Sequence, residues 1–216
     1  MQPESKKPLL KRLNTHSALA VSGMTGPLVL AATDMVAAFT CTGYSLVQHS
    51  ISRLALTPLG WVQTIGFLAI GLLVEIFVAG LLFNIRGVRG FHLSIAMLVF
   101  FGFGMLLIGA FHTDPSDYPN TIEGIIHWST ALAVFWLFPI AILIIAPSLK
   151  NDPNWSNLYV YTIVAGIVAL GLVIALMFMR AQISWFGLYE RILVANIVIW
   201  VEIAAIRLFR ISLNRA

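Results

Sequence analysis

The sequence predicts an all-α fold: a polytopic integral membrane bundle of six transmembrane helices with both termini in the cytoplasm. Of the 216 residues, 59% are hydrophobic and only 10% are charged, whereas a soluble domain carries roughly 25% charged residues. So few charges cannot cover a water-soluble globule, and lipid must solvate much of the chain. The apolar residues also fall into six runs, each long enough to cross a bilayer as a helix of about 20 residues.

The first predicted span, residues 17–40, follows a basic stretch and contains Pro27 and Asp34. Its length favours a transmembrane helix, and a cleaved signal peptide is the alternative interpretation, which would leave five spans. The second and third spans, 61–83 and 91–111, are continuous apolar runs separated by a short basic loop. The helix is the expected form because it satisfies its backbone hydrogen bonds within one segment.

The fourth, fifth and sixth spans are predicted at 125–146, 158–179 and 187–208. Aromatic residues mark their ends, as is typical of membrane–water interfaces. Trp128, Trp185 and Tyr189 lie at the end predicted to be outside, and Trp155 and Tyr159 lie at the inner end.

Lys and Arg residues define the predicted orientation, because short cytoplasmic loops are enriched in them. Ten of the 13 lie on one side of a six-span arrangement and three, Arg53, Arg180 and Arg191, on the other. We therefore expect a basic cytoplasmic tail over residues 1–16, a membrane domain over 17–209 and a cytoplasmic tail over 210–216. The expected location is the cell membrane, with the lipid bilayer as partner. No nucleic-acid motif accompanies the net charge of +4.

Polar residues that could carry chemistry are concentrated in the predicted outer loops. We expect interhelical pairs there, between Arg191 and Asp114, and between Glu190 and either Arg53 or His127. Ser52 could act as a nucleophile if His49 or His127 reached it, although no G-x-S-x-G motif surrounds it. A serine in a polar loop is more often a cap or turn residue. The predicted outer-face polar cluster is Ser52, Asp114, His127, Glu190 and Arg191.

His112, Asp114 and His127 flank the second outer loop and are the candidate ligands for zinc or another divalent metal. Their spacing matches no metal motif. The alternative is structural, because His127 falls one helical turn after Glu123 and could bond to it. Asn120 with Glu123 likewise has the pattern of a capped helix start.

Three acidic residues, Asp34, Glu75 and Glu202, fall inside the spans. A charge at membrane depth is costly and is a functional candidate by default. A proton or cation path through all three is one interpretation. Protonated or hydrogen-bonded acids without transport are the other.

Five short motifs follow one another along the chain: Tyr44-Ser45, Ile51-Ser52, Phe111-His112-Thr113-Asp114-Pro115, Gly124 with His127, and Gly187-Leu188-Tyr189-Glu190-Arg191. In their order they resemble the motifs of the domain of unknown function 998 family of prokaryotic membrane proteins, and the resemblance runs from Tyr44 to about Arg210. The chain departs from the family pattern at Arg53-Leu54-Ala55, where Glu-Leu-Gly is usual, and at His112, where proline is common. The resemblance implies six spans and a shared outer-face cluster, and no activity.

Three hypotheses for function follow. The first is a structural, sensory or small-ligand-binding membrane protein that uses the outer polar cluster. The second is a metal-assisted intramembrane hydrolase acting on a lipid or outer-leaflet substrate, which requires Asp114, His127 and a third ligand to converge. The third is a small proton-coupled transporter, which requires the three intramembrane acids to face one cavity.

Overall fold

The computed structural model describes residues 14–115, 120–178 and 184–214. Six α-helices in these ranges are long and apolar enough to cross a membrane, which confirms the predicted number of spans, and no strand occurs among the described residues. The predicted basic tail falls outside the described residues up to position 13, as do Arg180 and Arg215. The helices are α1 (Thr15–Thr40), α2 (Gly60–Asn84), α3 (Phe91–Ala110), α4 (Ile122–Asn151), α5 (Tyr159–Phe178) and α6 (Phe186–Asn214).

Two helices extend beyond their predicted ends. α4 begins at Ile122 because the Thr121 side chain caps it, accepting the Gly124 N–H at 3.0 Å. α6 continues to Asn214, through most of the segment predicted to be a cytoplasmic tail. Its last turns are retained because Leu208 and Ile211 are buried against the rest of the bundle.

The helices pack in chain order, and α6 closes the bundle by packing against α1 and α2. Aromatic rings occupy the centre: Phe138 contacts Phe101 at 5.0 Å and Trp200 at 5.6 Å between ring centroids. The Trp200 indole N–H donates to Thr162 on α5 at 3.0 Å, which satisfies a polar group inside the apolar core. α5 packs less extensively against α6 than any other pair of chain neighbours.

α1, α3 and α5 end, and α2, α4 and α6 begin, at one end of the bundle, called here the site end. The connection over residues 41–59 contains a short 3₁₀ helix, Ser52–Leu56. At the opposite end, Asp152 accepts the Arg86 N–H at 2.9 Å and Trp155 donates to the Asn84 carbonyl at 3.0 Å. These hydrogen bonds hold the opposite end closed.

Candidate functional site

The connection over residues 41–59 is fastened to the first turns of α6. The Leu188 N–H donates to the Val47 carbonyl at 3.0 Å, and a Glu190 carboxylate oxygen accepts the Ile51 N–H at 2.7 Å. Gly187 permits this approach, because a Cβ there would lie 2.2 Å from the His49 carbonyl oxygen. The connection therefore covers the site end as a fixed wall.

Arg191 is the centre of a polar network beneath this wall. Its guanidinium pairs with Asp34 of α1 at 3.1 Å, and both side chains are only 16% exposed. It also donates to the Tyr44 hydroxyl at 2.7 Å and to the Leu46 and His49 carbonyls, each at 3.0 Å. The expected Arg191–Asp114 pair was thus wrong. Arg191 pairs instead with the Asp34 carboxylate, because a largely buried carboxylate inside α1 needs a cation beside it.

Tyr44 completes the network from within the connection. Its hydroxyl donates to the Ser50 carbonyl at 2.7 Å and accepts from Arg191, while its ring lies beside the guanidinium. Burial raises the pKa of Tyr44 to about 12. The phenol therefore stays protonated and remains a donor at physiological pH.

Ser52 of this connection lies beside His127 of α4. The His127 Nε2 atom lies 3.0 Å from the Ser52 hydroxyl oxygen, and its Nδ1 atom lies 2.7 Å from the Phe111 carbonyl oxygen. His127 is only 3% exposed. The predicted approach of His127 to Ser52 is thus present. The other candidate base, His49, instead uses its Nδ1 atom to accept the Ser45 N–H at 3.1 Å.

A cavity of about 310 Å³ opens beside this pair. Its polar lining comes from Ser50, Ser52, Thr113, His127 and Glu190. The remaining lining is apolar and comes from α4, α5 and α6. A smaller cavity of about 50 Å³, lined mostly by core side chains, also borders Ser52 and Glu190. These two residues and His127 are the members of the predicted cluster that share one cavity.

Asp114 is used structurally at the start of α4. It accepts the N–H groups of Thr121 and Asn120 at 3.0 and 2.6 Å, and the Thr121 hydroxyl at 2.8 Å. Hydrogen bonds from the Thr121 and Asn120 backbone lower the pKa of Asp114. Gly124 is required below it, because a Cβ there would lie 2.1 Å from the carboxylate.

The three metal candidates point to different partners. Among the described residues, no group of three His, Cys, Asp or Glu side chains could hold a metal ion. His112 bonds to Glu123 at 2.9 Å. The alternative of a Glu123–His127 bond is wrong, because both ring nitrogens of His127 face Phe111 and Ser52. Glu190 likewise bonds to backbone rather than to Arg53 or His127.

The intramembrane acids lie apart. Asp34 pairs with Arg191, and Glu75 lies against Gly102 of α3, where a Cβ would be 2.9 Å from its carboxylate. Oε2 of Glu202 is buried and has no hydrogen-bond partner among the described residues. None of the three lines either cavity.

The sequence matches a known protein family over most of its length. Residues 24–207 match the family described as Protein of unknown function (DUF998). The chain belongs to the DUF998 family. No curated protein and no solved structure matches the chain. The membership agrees with the motif resemblance, and it carries the multi-pass membrane architecture but no specific activity.

Two features of the site were not identified from sequence. The Phe111 carbonyl, which orients His127, is a backbone atom and has no sequence signature. The Asp34 partner of Arg191 was recognised only as an isolated acid. A rule that pairs a lone intramembrane acid with a lone arginine near the same depth could have found it.

Proposed function

We propose that this DUF998 protein binds a small amphipathic molecule of the monoacylglycerol class in the 310 Å³ cavity at the site end. The observation that carries the proposal is the division of one cavity into a polar side and an apolar side. Its volume is at the lower limit of small-molecule pockets, which span roughly 300–1,000 Å³. The proposal places the site at the outer face of the cell membrane, as the distribution of Lys and Arg favours.

The polar side supports an uncharged head group with hydroxyls. The Ser52 hydroxyl oxygen, whose proton is directed at His127, offers an acceptor, and Glu190 adds a second acceptor. A free fatty acid would bring its carboxylate close to the carboxyl group of Glu190 and is therefore disfavoured. Glycerol hydroxyls can donate to both acceptors.

The apolar side supports an acyl chain that enters from the bilayer. Trp128 and Met177, both of which line the cavity, are 53% and 46% exposed on the apolar surface of the bundle. α5 and α6, which both line this side, pack against each other less extensively than the other chain neighbours do. A chain threaded here would keep its methylenes in contact with apolar groups along its length.

The test uses 1-decanoylglycerol added to the protein in phosphatidylcholine nanodiscs, with the melting temperature as readout. A ligand that binds only the folded state raises this temperature with concentration. Ala131 borders both cavities, so Ala131→Leu fills the site. Ala133 is exposed on another face of the same helix, so Ala133→Leu is the matched control.

We expect the added ligand to raise the melting temperature of the wild type and of Ala133→Leu in a saturable way. Ala131→Leu should lose most of the rise. Either no rise in the wild type or an equal rise in both variants would overturn the proposal.

A further inference from the structure

We infer that Ser52 and His127 form a nucleophile–base pair that cleaves the acyl ester of the bound molecule. The inference rests on the proposed function, since it assigns chemistry to the same cavity. This member of the DUF998 family is then a serine esterase. The ester bond that it cleaves lies where the polar and apolar sides of the cavity meet.

The hydrogen bonds of His127 fix the direction of proton transfer. A carbonyl oxygen can only accept, so the proton shared with Phe111 at 2.7 Å belongs to Nδ1. In the neutral ring Nε2 then carries a lone pair, and the hydroxyl at 3.0 Å must be the donor. Ser52 thus points its proton at the base, as nucleophilic catalysis by a serine requires.

The carbonyl of Phe111 takes the place of the carboxylate that orients the histidine in a catalytic triad. It holds one tautomer and one ring orientation without adding a second charge. Glu190 is a positioning residue, because its bond to the Ile51 N–H at 2.7 Å fixes the backbone directly before Ser52.

Ser52 also lies where substrate can reach it. It borders both the 310 Å³ cavity and the smaller one behind it. An ester carbonyl seated beside Ser52 in the larger cavity therefore has the polar lining on one side for its alcohol and the apolar lining on the other for its acyl chain.

The reaction balances with water as the only co-reactant. The Ser52 oxygen forms a bond to the ester carbonyl carbon while its proton moves to His127 Nε2. The bond from that carbon to the alcohol oxygen breaks, and the departing glycerol takes the proton from Nε2. Water, deprotonated by Nε2, then attacks the acyl-serine, releasing the fatty acid and returning the proton to Ser52.

The first experiment treats the protein in nanodiscs with a decyl fluorophosphonate, which phosphonylates an activated serine and releases fluoride. Intact mass and peptide mapping should place one adduct on Ser52. Ser52→Ala should abolish the adduct, whereas Ser45→Ala, from the same connection but outside the cavity lining, should not. His127→Gln should slow labelling by about 100-fold, because a general base contributes roughly 10²–10⁴-fold.

A second pair of variants covers the case in which His127→Gln fails to fold. Ser52→Cys and Ser45→Cys are each made with Cys41→Ser, since Cys41 is the single native cysteine. Both serines are partly exposed. A thiol at position 52 should react with iodoacetamide faster than one at position 45, because His127 stabilises the thiolate. The Nδ1 atom of His49, near position 45, already accepts the backbone N–H of that residue.

Equal alkylation of the two thiols, or phosphonate labelling unaffected by Ser52→Ala, would overturn the inference. Hydrolysis of 1-decanoylglycerol that persists in Ser52→Ala would do the same. If 1-decanoylglycerol raises the melting temperature but Ser52 is neither labelled nor required for hydrolysis, binding stands and catalysis fails. If Ser52 is labelled but 1-decanoylglycerol does not bind, the nucleophile stands and the proposed ligand class fails.

Discussion

Replacing Arg191 by alanine should destabilise the protein more than any other single charge removal at the site end. The substitution leaves Asp34 as a carboxylate that is only 16% exposed and has lost its cation. It also removes the donors to the Leu46 and His49 carbonyls. Breaking a buried ion pair by removing one partner costs about 3–5 kcal/mol. A chain of this size loses roughly 2–4 °C of melting temperature per kcal/mol, so the expected loss is ~6–20 °C.

Thermal unfolding of the detergent-purified protein, followed by circular dichroism, measures this loss. The matched control is Arg53→Ala, an exposed arginine of the same connection, which should change the melting temperature by less than about 2 °C. Arg191→Lys should recover only part of the loss, because an ammonium cannot reproduce the planar set of donors. A melting temperature for Arg191→Ala equal to that of Arg53→Ala would refute the network as a source of stability.

Three further predictions concern the site end. Cys41 should react with a membrane-impermeant maleimide on intact cells, and Cys41→Ser is the control. Reaction that occurs only after permeabilisation would place the site end on the cytoplasmic side and contradict the proposed orientation. Gly187→Ala should lower the melting temperature by several degrees, since its Cβ would meet the His49 carbonyl at 2.2 Å. Gly171→Ala is the control and should leave the melting temperature unchanged, because its Cβ would meet nothing within 4 Å. Equal losses of melting temperature in the two variants would contradict the prediction. Asp114→Asn should lower the free energy of unfolding, and this loss should be largest above the ordinary pKa of 3.8. The loss should shrink as pH falls through the lowered pKa of Asp114 in the folded state. A loss that grows in acid would contradict the prediction.

The number of helices was predictable from sequence because lipid leaves the backbone few alternatives. The ends were less predictable, since local capping and packing decide them. Thr121 starts α4 ahead of the most apolar residues of its run, and burial of Ile211 carries α6 past the apolar stretch. Hydropathy measures the cost of placing residues in lipid and does not register either effect.

The members of the site were predictable, but apart from the approach of His127 to Ser52 their pairing was not. Polar residues in the connections at one end of a bundle must lie near one another, which is why Ser52, His127 and Glu190 were selected together. Which atom bonds to which depends on distances of about 3 Å, set by side-chain rotamers and backbone bends that spacing in sequence does not fix. The Arg191 prediction failed for this reason, since Asp114 is satisfied by its own loop.

Glu190 and Arg191 explain how one turn of a helix can position a site built mainly by other elements. Adjacent residues of a helix point about 100° apart. Glu190 therefore reaches the cavity and holds Ile51, while Arg191 pairs with Asp34 of α1 and holds the same connection through Tyr44. The segment that carries Ser52 is thus fixed from two directions by a single rigid turn. Because α4 independently fixes His127, the Ser52–His127 distance depends on how α6 and α4 are packed, and a ligand that bridges the two side chains stabilises that packing.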